Sequence, residues 1–144
     1  MSIGKMMRDR QVVSCSGDQS AVDAIKLMKE KNVGCVLVTE GQKPAGIVTD
    51  RDVALRFWGE DEQARKNLKA KDLMTKPVHT ISEDAGVHEL VKAFSESKSR
   101  RVLVTNNAGA SVGILSTDDV LPLLADEISE LSKALAPSKT KLAG

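Results

Sequence analysis

Two hydroxyl–carboxylate pairs are placed to do chemistry: Thr49 with Asp52, and Ser116 with Asp119. Each lies in a longer phrase, Gly46-Ile47-Val48-Thr49-Asp50-Arg51-Asp52-Val53 and Gly113-Ile114-Leu115-Ser116-Thr117-Asp118-Asp119-Val120, repeated at an offset of 67 residues (113 − 46). A hydroxyl residue closing an apolar run predicts a helix N-cap. The first turn of a helix exposes unpaired N–H groups at the positive end of its dipole, where an anion such as phosphate is favoured, and the hydroxyl adds a donor at that corner. The aspartate three positions on faces the same way, and a carboxylate accepting two neighbouring hydroxyls is a common way to hold a ribose. The same spacing also describes a plain N-cap with a first-turn acid that binds nothing. Spacing alone leaves both readings open.

The elements around these pairs come twice. Gln11–Cys15 predicts a strand, ended by the turn signal Ser16-Gly17-Asp18. Ser20 with Asp23 predicts a capped helix with Ala21, Ala24, Ile25 and Met28 on its apolar face, finishing near Asn32 to Gly34. Cys35–Thr39 reads as a buried strand, Gly41–Pro44 as a turn and Ala45–Val48 as a hairpin partner. Thr49 then caps a helix carrying Val53, Phe57 and Trp58. Gly59–Lys71 is the most charged stretch and reads as a link. Beyond it Asp72-Leu73-Met74 echoes Lys5-Met6-Met7, and Val78–Ile81 takes the place of Val12–Cys15. Val87, Leu90, Val91 and Phe94 repeat the helical stripe, and Val102–Thr105 repeats Val36–Thr39. A second hairpin loop, Asn106–Ser111, longer by one residue, turns the offset from 66 into 67. The expected fold class is α/β (α+β), a duplicated β-α-β-β-α unit, with repeats at 1–62 and 63–136 and a disordered tail at 137–144. Pro122 predicts a tight turn after Thr117 and a helix that restarts at the proline. Leu123, Leu124, Ile128, Leu131 and Leu135 carry an apolar stripe beyond the unit, which needs a partner surface.

Composition narrows the function. The chain has 144 residues, a net charge of +1 and 2% aromatic residues with no tyrosine, which gives neither an electrostatic field nor stacking platforms for nucleic acid. No apolar run approaches the roughly 18 residues of a membrane span, and the N-terminus lacks the core of a signal peptide, so a cytoplasmic protein is expected. Cys15 and Cys35 form neither a disulfide framework nor a CxxC site; they read as small core residues, with a thiol pair or shared metal as the alternative. The only histidines are His79 and His88, and no nucleophile can be paired with either. No catalytic residues, metal ligands or prosthetic group are therefore expected.

The twice-repeated unit entering its last helix through Gly-x-x-Thr/Ser-x-x-Asp resembles the CBS domain, named after cystathionine β-synthase. From about Ile3 to Leu124 the chain is similar to small stand-alone bacterial CBS-pair proteins. The resemblance implies a pseudo-two-fold pair with two clefts and a regulatory ligand containing adenosine: AMP, ADP, ATP or S-adenosylmethionine. Thr49 with Asp52, and Ser116 with Asp119, would hold phosphate and ribose. Pro77, His79, Arg100 and Arg101 would complete the first cleft, and Gln11, Val13, Gly34 and Cys35 the second. The two arginines would make the first cleft the better phosphate site, leaving the second without a cation; as residues of a helix-to-strand turn they could equally be solvated. The proline common in the middle strand of such units is replaced by Leu37 and Leu103. A homodimer, and an effector protein of unknown identity, complete the expectation. The alternative is an interaction protein with empty clefts, its C-terminal stripe and Trp58 buried in a dimer.

Overall fold

A computed structural model describes Ile3, residues 11–97 and residues 100–143, with side chains as far as Leu135. The echo Lys5-Met6-Met7 lies outside the described residues. The first repeat comprises β1 (Ser14–Ser16), α1 (Ala21–Lys31), β2 (Cys35–Glu40), β3 (Lys43–Thr49) and α2 (Asp50–Asp52), which widens into a π-helical turn over Val53–Phe57. Two short helices follow, α3 (Glu62–Asn67) and α4 (Ala70–Leu73). The second repeat has β4 (Thr80–Ser82), α5 (Val87–Glu96), β5 (Arg101–Thr105), β6 (Ser111–Ser116) and α6 (Thr117–Ala143).

Each repeat builds a three-stranded sheet, in the orders β1-β2-β3 and β4-β5-β6. The duplication extends to register: Ser14 lies opposite Leu37 and Thr80 opposite Leu103, and the hairpins break step between Val38 and Thr39 and between Val104 and Thr105. Local sequence explains the elements. Ser20 caps α1 by accepting from the Asp23 N–H, and Asn32 closes it in a left-handed conformation. Gly41 and Gln42, with φ of 54° and 70°, form the tight turn, so β3 begins at Lys43 and takes in Pro44. In the second hairpin the Asn106 side chain accepts from the Ala108 and Ala110 N–H groups and holds the longer loop.

Strand alternation then divides the core. Val36 and Val38 face the helices with Cys15, Ala21, Ala24 and Phe57, whereas Leu37 points the other way, against Ile47 and Leu103. Val104 belongs to the matching core of the second repeat with Leu90, Leu115, Val120 and Leu123. The leucines that stand where proline was expected are therefore the centre of the seam between the sheets. Each seam leucine, 2% exposed or less, contributes about 1.5–3 kcal/mol of burial.

The link is structured, and it crosses between the halves. Ala70, Leu73 and Met74 of α4 and its end are buried in the first repeat's core, and Ile3 is buried in the second's. Mutual bonds between Ile47 and Thr75 (Thr75 N to Ile47 O 2.8 Å, Ile47 N to Thr75 O 3.0 Å) and one from Ala70 N to Gln19 O (2.8 Å) fasten this exchange. One expectation about α6 needs correction. It runs without interruption past Pro122, because Val120 and Leu123 on either side of the proline are anchored in one core and hold the axis through the lost hydrogen bond. The backbone of α6 is described as far as Ala143. Among the described residues no helix is long and apolar enough to cross a membrane.

Candidate functional site

The Thr49 corner is a closed capping box. Thr49 N–H and Oγ1 donate to Asp52 Oδ2 at 2.9 and 3.0 Å, and the Asp52 N–H donates back to Thr49 Oγ1 at 3.2 Å. Asp52 Oδ1 accepts from Thr75 Oγ1 at 3.0 Å and lies 3.9 Å from Arg56 Nε. Arg56 in turn donates to the carbonyls of Leu73 and Met74 at 3.1 and 2.7 Å. Thr49 and Asp52 are each 7% exposed. The resemblance assigned this aspartate to a ribose; in the structure Oδ2 closes the capping box with Thr49, and Oδ1 ties α2 to Thr75, just beyond the end of α4. Thr75 and Arg56 were missed: the i,i+4 spacing of Asp52 and Arg56 was a local signal for one, whereas Thr75 reaches Asp52 only through the fold.

The Ser116 corner repeats two of these bonds, with Ser116 N–H and Oγ donating to Asp119 Oδ2 at 2.8 and 3.1 Å, but both residues are half-buried. They open onto a cleft of about 390 Å³ whose walls are Gln11, Val13, Val33, Gly34 and Cys35 from the first repeat with Ile114 from the second. All four residues expected opposite Ser116 and Asp119 are brought to it. Val33 and Ile114 extend its apolar surface and were legible only once the strands were placed.

Arg101 lines this cleft as well, so it does not lack a cation, contrary to expectation. The arginine opens β5 with Ser116 as its cross-strand partner, and it lines the same cleft as the Cys35 thiol. Burial pushes that thiol up, the arginine opposes the rise, and Asp50 and Asp119 add to it. Gly34 lies beside the guanidinium: a Cβ there would stand 3.4 Å from Arg101 Nη2, in ordinary van der Waals contact.

Arg101 and Ser116 also border an adjoining cleft of about 620 Å³ at the meeting of the two repeats. Here Arg51, Arg56 and Arg100 join Arg101, opposed by Asp50, Asp52 and Asp118. Arg100 holds a left-handed φ of 58° at the turn into β5. Pro77 and His79 line neither cleft; the His79 carbonyl accepts from the Leu103 N–H at 2.9 Å as part of the β4–β5 pairing. His88 is exposed on α5.

The thiol-pair alternative fails on geometry. Cys15 lies on the helix-facing side of its sheet and Cys35 packs against the seam on the other side, and both are free. Among the described residues no cluster of histidine, cysteine or acidic side chains could hold a metal.

Comparison with known proteins adds ancestry to this geometry. The model of a family described as the CBS domain matches twice, over residues 3–59 and 70–126. An uncharacterized protein of Methanopyrus kandleri is 32% identical over 137 residues, covering 92% of this chain and 69% of that protein. A solved CBS-domain containing protein of Agrobacterium tumefaciens aligns with a TM-score of 0.71 at 25% identity, over 85% of this chain and 98% of the other. A CBS domain protein of Pyrobaculum aerophilum, complexed with AMP, aligns with a TM-score of 0.67 at 21% identity, over 84% and 91% of the two chains.

Proposed function

Because the chain belongs to the CBS-domain family, as a tandem pair of those domains, we propose that it is a non-catalytic sensor of adenosine-containing nucleotides. The observation that carries this reading is the Ser116/Asp119 corner. It is a half-buried hydroxyl and carboxylate opening onto a cleft with apolar walls from the other repeat and an arginine beside them. Val13, Val33 and Ile114 suit a planar base, Asp119 suits ribose hydroxyls, and Arg101 suits phosphate. AMP in the similarly folded Pyrobaculum aerophilum protein supports the same ligand class.

The cleft draws on both repeats, so a ligand filling it interacts differently with each relative arrangement of the halves and shifts the balance between them. That change is what a cytoplasmic effector protein would read. Isothermal titration and thermal melting against AMP, ADP, ATP and S-adenosylmethionine test the proposal. Saturation at a hundred times Kd stabilises by about 2.7 kcal/mol. No heat and no melting shift at millimolar ligand would refute it.

A second reading, association through a homodimer, rests on α6. Leu121, Ile128, Leu131 and Leu135 are 63%, 67%, 60% and 47% exposed, and Trp58 is 64% exposed. Leu121, Ile128 and Leu135 recur every seven residues with Leu124 and Leu131 between them, which is the period of a two-helix seam. The two readings are compatible, since the seam lies on the helix that Ser116 and Asp119 begin.

A further inference from the structure

The last helix leaves the domain that begins it. Val120 and Leu123 are anchored in the second repeat's core and Leu124 packs against it, but every side chain from Ala125 to Leu135 is exposed, on all sides of the helix. The second match of the family model ends at residue 126, so nearly all of this projecting segment lies outside both CBS domains. A helix this short, standing clear of other packing, is marginal in water, because helices in proteins draw most of their stability from a buried face. The segment carries such a face. Leu124, Ile128, Leu131 and Leu135 follow at spacings of four, three and four, the a and d positions of a heptad. The positions beside that stripe are small, Ala125 and Ser132 on one side and Ala134 on the other, with Glu127 as the single flanking charge.

Resting on the homodimer reading above, we infer that two copies of the chain join by antiparallel pairing of these segments, with the two-fold axis passing between Ile128 and Leu131. Ile128 then packs on the partner's Leu131 and Leu124 on the partner's Leu135, which gives four apolar layers. Charge selects this arrangement. Along the segment the acids Asp126, Glu127 and Glu130 come first and the base Lys133 follows. A parallel pair would set the acidic turn of each copy beside that of the other, within a Debye length of about 8–10 Å, and would align the two helix dipoles. In the antiparallel pair the dipoles oppose and Lys133 comes level with the partner's Asp126. Lys133 lies 3.5 Å from Glu130 of its own helix, so it balances charge along the seam and does not add an ion pair across it. Register follows from Glu127. The neighbouring antiparallel register, which pairs Leu121 with the partner's Leu131, would bring Glu127 against the partner's Glu127. In the register inferred here Glu127 meets the partner's Ala134.

Disulfide trapping and sedimentation of the full chain test this, with the parent chain as control for the native thiols. Under mild oxidation an equimolar mixture of Ile128→Cys and Leu131→Cys chains should give a covalent dimer at least about tenfold faster than either variant alone, because only the mixed pair brings Cα atoms within the roughly 7 Å that a disulfide spans. Ala134→Lys should tighten the dimer roughly two- to tenfold and Ala134→Glu should loosen it, since the partner's Glu127 faces that position. Crosslinking of each variant with itself, with none in the mixture, or charge effects of the opposite sign, would overturn the antiparallel seam and leave the dimer reading standing. A monomer at every concentration, including one that captures a different protein through α6, would overturn both.

Discussion

Replacing Gly46 by alanine measures how tightly the crossed segment is seated. A Cβ at Gly46 would stand 2.6 Å from Met74 Sδ, 2.7 Å from its Cγ and 2.9 Å from its Cβ. Ordinary contact needs about 3.5–4.0 Å, so the methionine must retreat by about 1 Å. The Cβ contact means that rotating the side chain is not enough; the backbone has to move. That backbone is held by Thr75 on one side and by Arg56 through the Leu73 and Met74 carbonyls on the other. Gly46 has no positive φ, so alanine would stiffen the unfolded chain and return about 0.4–1 kcal/mol. Overpacking costs about 1–3 kcal/mol and is held near its upper end here by those bonds. The expected net loss is of order 2 kcal/mol, roughly 6 °C in Tm. Urea denaturation of Gly46→Ala, Met74→Ala and the double variant closes the cycle. Deleting Sδ and Cγ should make the double variant at least about 1 kcal/mol more stable than additivity predicts. Additive losses would refute this account of why the motif glycine is a glycine.

Asp52→Ala should lose about 1–3 kcal/mol in the same assay, since it strands the Thr49 N–H and the Thr75 hydroxyl; near-native stability would show that the capping box contributes little. Both thiols are pushed up by burial, with Asp23 assisting at Cys15 and Arg101 opposing at Cys35, so each stays protonated in the folded chain after it would ionise in the unfolded one. Their contribution is complete below the unfolded thiol value of about 8.5 and is lost as pH rises through the folded values. Cys15→Ser/Cys35→Ser should therefore flatten the alkaline fall in Tm, and an unchanged slope would contradict this. Ile128→Glu/Leu131→Glu should leave Tm of the monomer unchanged while abolishing concentration-dependent sedimentation; persistence of a dimer would remove α6 from the interface.

Much of this fold could be read because apolar period and turn chemistry agree locally. Ser20, Asn32 and the Cys35–Thr39 run each act within a few residues of themselves. Two kinds of information could not be read that way. Burial separates Asp52 from Asp119, yet their phrases are nearly the same; the difference arises from Thr75, which comes from beyond α4, and from Arg56, one helical turn on. Arg101 was assigned to one cleft by the family resemblance, and its length carries it to the border of the other as well. The resemblance likewise placed Pro77 and His79 at a cleft they do not line. Pro122 misled for the opposite reason, because a local rule for breaking helices yielded to anchors on both sides.

The exchange of opening segments has a consequence for what counts as an independent unit. Dividing the chain at 62/63 would leave the first half without Ala70, Leu73 and Met74, and the second without Ile3. Neither fragment would own a complete floor, and both would expose the Leu37 and Leu103 seam. The halves should unfold in one cooperative transition in the intact chain, and as separate fragments should regain structure only when mixed.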